Sequence, residues 1–116
     1  MSEWIGVDFD GVLATYEAMQ GKQLGNPVPA MVQRVQAWRK EGKDVRVFTA
    51  RAGDDVQKKA VTDWLNENGL SGLEVTNMKA FGMVELWDDR AVRVRKNTGK
   101  PCSGCRSAGF SAETDC

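Results

Sequence analysis

The chain has no histidine and only three cysteines among its 116 residues. Without histidine, imidazole acid–base catalysis and histidine ligation of a metal are both excluded. Cys102, Cys105 and Cys116 all fall within the last fifteen residues, too few and too clustered for a disulfide framework. A reducing, cytoplasmic setting is therefore expected. No apolar run approaches the ~20 residues of a membrane span, and the N-terminus lacks a secretory pattern, so no membrane partner is expected. Net charge is missing too: sixteen basic residues balance sixteen acidic ones, so nothing steers the whole molecule toward nucleic acid. Locally the balance fails. Arg90, Arg93, Arg95, Lys96, Lys100 and Arg106 occur with no acidic residue among them. A solvated strand edge and tail is the plain reading of that run, and a nucleic-acid face is the alternative.

What is present begins with Trp4-Ile5-Gly6-Val7-Asp8-Phe9-Asp10-Gly11-Val12. A short apolar run ends in two carboxylates one residue apart, then glycine. Residues i and i+2 of a strand point to the same side, so Asp8 and Asp10 would share a face. They would sit at the strand's carboxyl end, where open α/β sheets hold ligands. With 41% apolar residues, the chain can bury the core of one domain.

Residues 3–8 read as a buried strand, and 12–27, broken by Gly21, Gly25 and Pro27, as a flap over the aspartates. Met31, Val32, Val35 and Trp38 form a helical stripe, started by Pro29 and stopped by Gly42. Asp44–Thr49 is a second strand. Asp54 or Asp55 can cap a second helix carrying Val56, Ala60, Trp64 and Leu65, closed by Gly69. Leu73–Thr76 reads as a third strand, 77–82 as a loop and Val84–Trp87 as a fourth strand running into Asp88-Asp89. Ala91–Arg95 alternates like a short edge strand. This order predicts an α/β fold: a single Rossmann-like domain over residues 1–96, with a mostly parallel central sheet and helices on both faces. Residues 97–116, rich in Gly, Ser, Thr and Cys, are expected to be a mobile tail.

The carboxyl ends of parallel strands lie along one rim, so Asp8, Asp10, Thr49, Lys79, Asp88 and Asp89 should converge. Each carboxylate pair near 4 Å costs about 4 kcal/mol at an effective dielectric of ~20. A divalent cation removes that cost, and an all-oxygen set suits Mg²⁺. Lys79 and the Thr49 hydroxyl supply the opposite half of a phosphate site. An ionised aspartate can attack a phosphoryl group in line, while its neighbour protonates the leaving oxygen and then activates water. The residues thus point to metal-assisted phosphoryl transfer.

Asp8-Phe9-Asp10-Gly11-Val12-Leu13-Ala14 resembles the first motif of the haloacid dehalogenase-like phosphatase superfamily. Phe48-Thr49-Ala50-Arg51 is similar to its second motif, Lys79 to its third, and Trp87-Asp88-Asp89 to its acidic fourth. The likeness spans about residues 3–95, with the motifs in the family's order. It implies that Asp8 is the nucleophile and a magnesium ligand. Asp10 would be the general acid/base and give its backbone carbonyl to the metal. Thr49 and the Ala50 amide would bind phosphate, Lys79 would neutralise it, and Asp88 would complete the metal shell with Asp89 direct or through water. Between Asp10 and Thr49 lie 38 residues, and between Thr49 and Lys79 lie 29, which the flap, helices and strands consume. No cap domain fits, so the chain resembles the small capless members of bacteria and phages.

The implied partner is a phosphorylated small molecule or a nucleic-acid end. Arg51, Arg90 and Tyr16 are possible substrate contacts, with a surface salt bridge the competing role for either arginine. Trp38, Trp64 and Trp87 read as core. Cys102-Ser103-Gly104-Cys105 is half of a zinc-ribbon pattern, short of the four ligands such a site needs. The competing functions are a receiver-like phospho-acceptor domain, whose acidic pair would precede the phosphorylated aspartate, and a non-catalytic phosphate or nucleic-acid-end binding module.

Overall fold

An apolar run without alternation belongs in the middle of a parallel sheet, where both faces are covered. The computed structural model, which describes residues 3–17 and 20–102, puts β1 (Trp4–Val7) there, buried along its whole length. Around it the sheet runs β3-β2-β1-β4, with every pairing parallel. The other strands are β2 (Asp44–Phe48), β3 (Glu74–Thr76) and β4 (Met83–Trp87). Helix α1 (Pro29–Lys40) joins β1 to β2, and α2 (Asp55–Glu67) joins β2 to β3. This is the expected Rossmann-like α/β fold.

Register decides which side chains meet. Ile5 pairs with Val45, Val7 with Val47 and Val47 with Val75, so these five share one face. They form a single cluster with Val32 and Val35 of α1 and Val61, Trp64 and Leu65 of α2. Both crossovers step the same way along the sheet, and right-handed connections then lay both helices on the same side. The return from β3 to β4 is the loop 77–82, which carries no helix. Among the described residues no helix joins β3 to β4 to cover the second face, where Leu86 is 38% exposed. There the Arg46 guanidinium sits 4.5 Å over the Trp4 ring, and Trp4 is 1% exposed.

Three local expectations change. Asp54 takes the extended cap position of α2 without a side-chain capping bond. Val56 is exposed rather than buried, and Val61 takes its place beside Trp64 and Leu65 at i, i+3 and i+4. The 12–27 segment is more than a flap. Leu13 and Ala14 belong to the core, and Val28 and Thr15 donate backbone bonds to Leu13 and Asn26, each 2.8 Å. Gly25 permits that approach, since a Cβ there would collide with the Thr15 carbonyl oxygen.

Ala91–Arg95 adds no edge strand to the sheet. The chain instead doubles back through Asn97 (φ 66°) and Gly99 (φ 75°). Arg95 then donates to the Lys100 carbonyl and Cys102 to the Arg93 carbonyl, each 2.8 Å, flanking a Val94–Pro101 bridge. The Arg93 carbonyl and the Arg95 amide are thereby satisfied locally instead of by β4. Residues 97–102 of the expected tail belong to this turn, with Cys102 fully buried. Cys105 and Cys116, and with them the CxxC pairing, lie outside the described residues. No helix among the described residues is long and apolar enough to cross a membrane.

Candidate active site

β1 and β4 bring the acids together by register. Val7 pairs with Trp87, and the Asp8 amide donates to the Trp87 carbonyl at 2.8 Å. The next residue of each strand, Asp8 and Asp88, therefore emerges at the same level. Phe9 turns inward, fully buried, with its ring edge-on to Trp64 at 4.8 Å. That anchor leaves the flanking Asp8 and Asp10 facing a cleft of about 830 Å³ at the carboxyl ends of the strands.

One carboxylate oxygen each from Asp8, Asp88 and Asp89 lies within 4.8 Å of the others. Asp89 reaches this position across Gly11. That residue has φ +86°, and a Cβ on it would stand 2.5 Å from Asp89 Oδ2. Asp88 Oδ1 accepts the Arg90 amide at 2.7 Å, which fixes its rotamer. Burial pushes the Asp8 carboxyl up to about 7 from its usual 3.8, and the charges of Asp88 and Asp89 and a hydrogen bond with Asp89 add to the rise. The Phe9 amide, 2.8 Å from Asp8 Oδ1, pulls the other way. Three carboxylate oxygens this close together could hold a cation. The donor set fits a hard divalent ion such as Mg²⁺.

Asp10 lines the same cleft but stands outside that cluster. Both its oxygens are taken by Arg51: Nε donates to Oδ2 at 2.7 Å and Nη2 to Oδ1 at 2.9 Å. Arg51 Nη1 also donates to the Lys22 carbonyl at 2.7 Å and to Gln57 Oε1. Of its two anticipated roles, Arg51 thus takes the ion pair, as a planar guanidinium joining Asp10, α2 and the 20–24 segment.

Thr49 directly follows β2 and is the one buried polar residue of the described core, 4% exposed. Its amide donates to the Thr76 carbonyl at 2.8 Å and its Oγ accepts from the Arg51 amide at 3.2 Å. Thr49 lines the cleft, as do Ala50, Tyr16 and Arg90, and its hydroxyl keeps a hydrogen to donate. Lys79 is the departure. It lies exposed on the 77–82 loop and is not among the lining residues, whereas Asn77 of that loop is. Two positions in an irregular loop decide which side chain turns inward, and spacing cannot resolve that. Lys22 lines the cleft instead. It sits in a Gly-broken stretch without periodicity, so the sequence carries no signal for it. Gln57 is equally silent, a polar residue of α2 outside the Val61, Trp64 and Leu65 stripe.

The fold and this cleft define a Rossmann-like α/β protein with an acidic crevice at the carboxyl edge of its sheet. No family model and no curated protein matches the chain. Among solved structures, a conserved protein from Bacteroides thetaiotaomicron superimposes with a TM-score of 0.63 at 20% identity, covering 79% of each chain. At that identity the likeness concerns the fold alone.

Proposed function

We propose that the protein is a Mg²⁺-dependent phosphomonoester hydrolase of the haloacid dehalogenase-like type, working through an aspartyl-phosphate. One observation carries the reading: the convergence of Asp8, Asp88 and Asp89 within 4.8 Å, from two adjacent strand ends. The order of the motifs that lead into these residues supports it.

Asp8, Asp88 and Asp89 would hold the cation. When bound, the ion neutralises phosphoryl charge and holds Asp8 ionised at neutral pH. Thr49 would donate its hydroxyl to a phosphoryl oxygen, with the Arg90 and Lys22 side chains within the same cleft to balance the remaining charge. The Asp8 oxygen attacks phosphorus, forming a P–O bond to the carboxylate while the ester P–O bond breaks. The leaving oxygen takes its proton from Asp10. Water then attacks the acyl phosphate, giving its proton to Asp10, and inorganic phosphate departs with Asp8 regenerated. Arg51 orients Asp10 throughout. One of its two hydrogen bonds must open before that oxygen can carry a proton.

The test is hydrolysis of an aryl phosphate with Mg²⁺ and with EDTA. Mg²⁺-dependent turnover that Asp8→Asn abolishes is the expected result. Equal turnover by the variant, or turnover in EDTA, would remove the mechanism.

A further inference from the structure

The basic run that follows the acid pair has a shape the sequence did not suggest. It is no solvated edge of the sheet. Arg90 stands at its head, lining the cleft, with its amide bonded to Asp88 at 2.7 Å. Three residues later the chain enters the turn closed by Arg95–Lys100 and Cys102–Arg93 backbone bonds and anchored by buried Cys102. Arg93, Lys96 and Lys100 are exposed on that turn. No acidic residue occurs between 90 and 102, and Arg90, Arg93 and Lys96 enter no ion pair among the described residues. Six extended residues span at most about 20 Å, so Lys96 lies within that distance of Arg90. Positive charge thus continues within about 20 Å of the cleft-lining Arg90 on a pre-folded support.

We propose that the substrate is the phosphorylated end of a nucleic-acid strand, a proposal that rests on the phosphatase reading above. The terminal monoester enters the cleft and the next phosphodiesters lie along the turn. The chemistry divides in the same way. Only the terminal monoester can pass its phosphoryl group to a carboxylate and leave an alcohol behind, whereas the internal diesters serve as repeating anions for spaced cations. A small sugar phosphate would use Arg90 and leave the rest of the run without a role. The exposed ring of Tyr16, on the cleft wall, offers a face on which the terminal base can stack.

The experiment uses the full chain and a labelled single-stranded 12-mer bearing a terminal phosphate at either end. Binding in EDTA is read by anisotropy, and phosphate release with Mg²⁺ is read separately. Three neutralised phosphates predict that affinity falls more than about tenfold between ~50 and ~200 mM salt. Lys96→Glu, at the exposed tip of the turn, should weaken binding and raise KM for the oligonucleotide several-fold while leaving aryl phosphate hydrolysis unchanged. An Arg93→Ala/Lys96→Ala pair should flatten the logarithmic salt slope by about 1.4, from ~0.7 per phosphate on single strands. Salt-independent binding, or binding indifferent to both variants, overturns the proposal. So does equal turnover and equal sensitivity to the variants with a phosphopeptide of matched charge. Oligonucleotide binding that behaves as described without aryl phosphate hydrolysis would overturn the phosphatase reading and leave the nucleic-acid surface standing.

Discussion

Asp8→Asn tests the acidic site through stability, without any assumption about substrate. The amide keeps the shape of the side chain and can still accept the Phe9 amide, but it carries no charge. In the wild-type protein without metal, Asp8 is raised from 3.8 to about 7 in the folded state. The unfolded chain therefore releases this proton first as pH rises. Between about pH 4 and pH 7 the unfolded state gains stability that the folded state does not, so wild-type stability falls across that window and levels off above 7. Three units correspond to a ceiling of about 4 kcal/mol. Asp8 is only half-buried, and solvent screening leaves about 1–2 kcal/mol of it. For a chain near this length that is a Tm difference of about 4–8 °C. Thermal melts of both proteins in EDTA, from pH 4 to pH 9, measure it. The gap in favour of the variant should open between pH 4 and 7 and stay constant above. A gap independent of pH, or one that closes as pH rises, would refute the idea that like charge and burial strain this carboxyl.

Mg²⁺ should reverse that pattern by raising the wild-type Tm at pH 8. Asp88→Asn, whose carboxylate is half-buried and fixed by the Arg90 amide, should lose more of the shift than Asp89→Asn; equal losses would show that both bind the ion directly. Gly11→Ala combines a left-handed backbone (φ +86°) with a clash against Asp89. It should cost about 1–2 kcal/mol and weaken the Mg²⁺ response, so an unchanged metal titration would refute the part assigned to Asp89. Arg51→Ala frees Asp10 and breaks the bond to the Lys22 carbonyl. It should lower kcat for aryl phosphate at least tenfold with little change in the Mg²⁺-dependent Tm shift, and Arg51→Lys should recover little, since an ammonium cannot make the paired contact. Full activity of the lysine variant would argue against the bidentate pair.

The succession of apolar runs, helical stripes and glycine stops was enough to read the order of strands and helices, because each period is a local property of the chain. That Asp8 and Asp10 both line the cleft was legible from their place just after the apolar run, although β1 ends at Val7 and Phe9 lies in a turn. The same holds for the burial of Trp64, whose stripe closes over Phe9. What the one-dimensional pattern could not hold is register and loop direction. The Val7–Trp87 pairing sets Asp88 beside Asp8, and the open backbone of Gly11 admits Asp89. Arg51 finds Asp10 across 41 positions of chain, a pairing with no periodic trace. The 77–82 loop turns Asn77 inward and leaves Lys79 in solvent. The alternation of Ala91–Arg95 suited a strand, but two residues with positive φ fold the chain back on itself before it can join the sheet. Local steric preference acts between near neighbours and is written in their order. Which distant groups meet depends on how the finished sheet and its loops share space, and only the tertiary structure decides that.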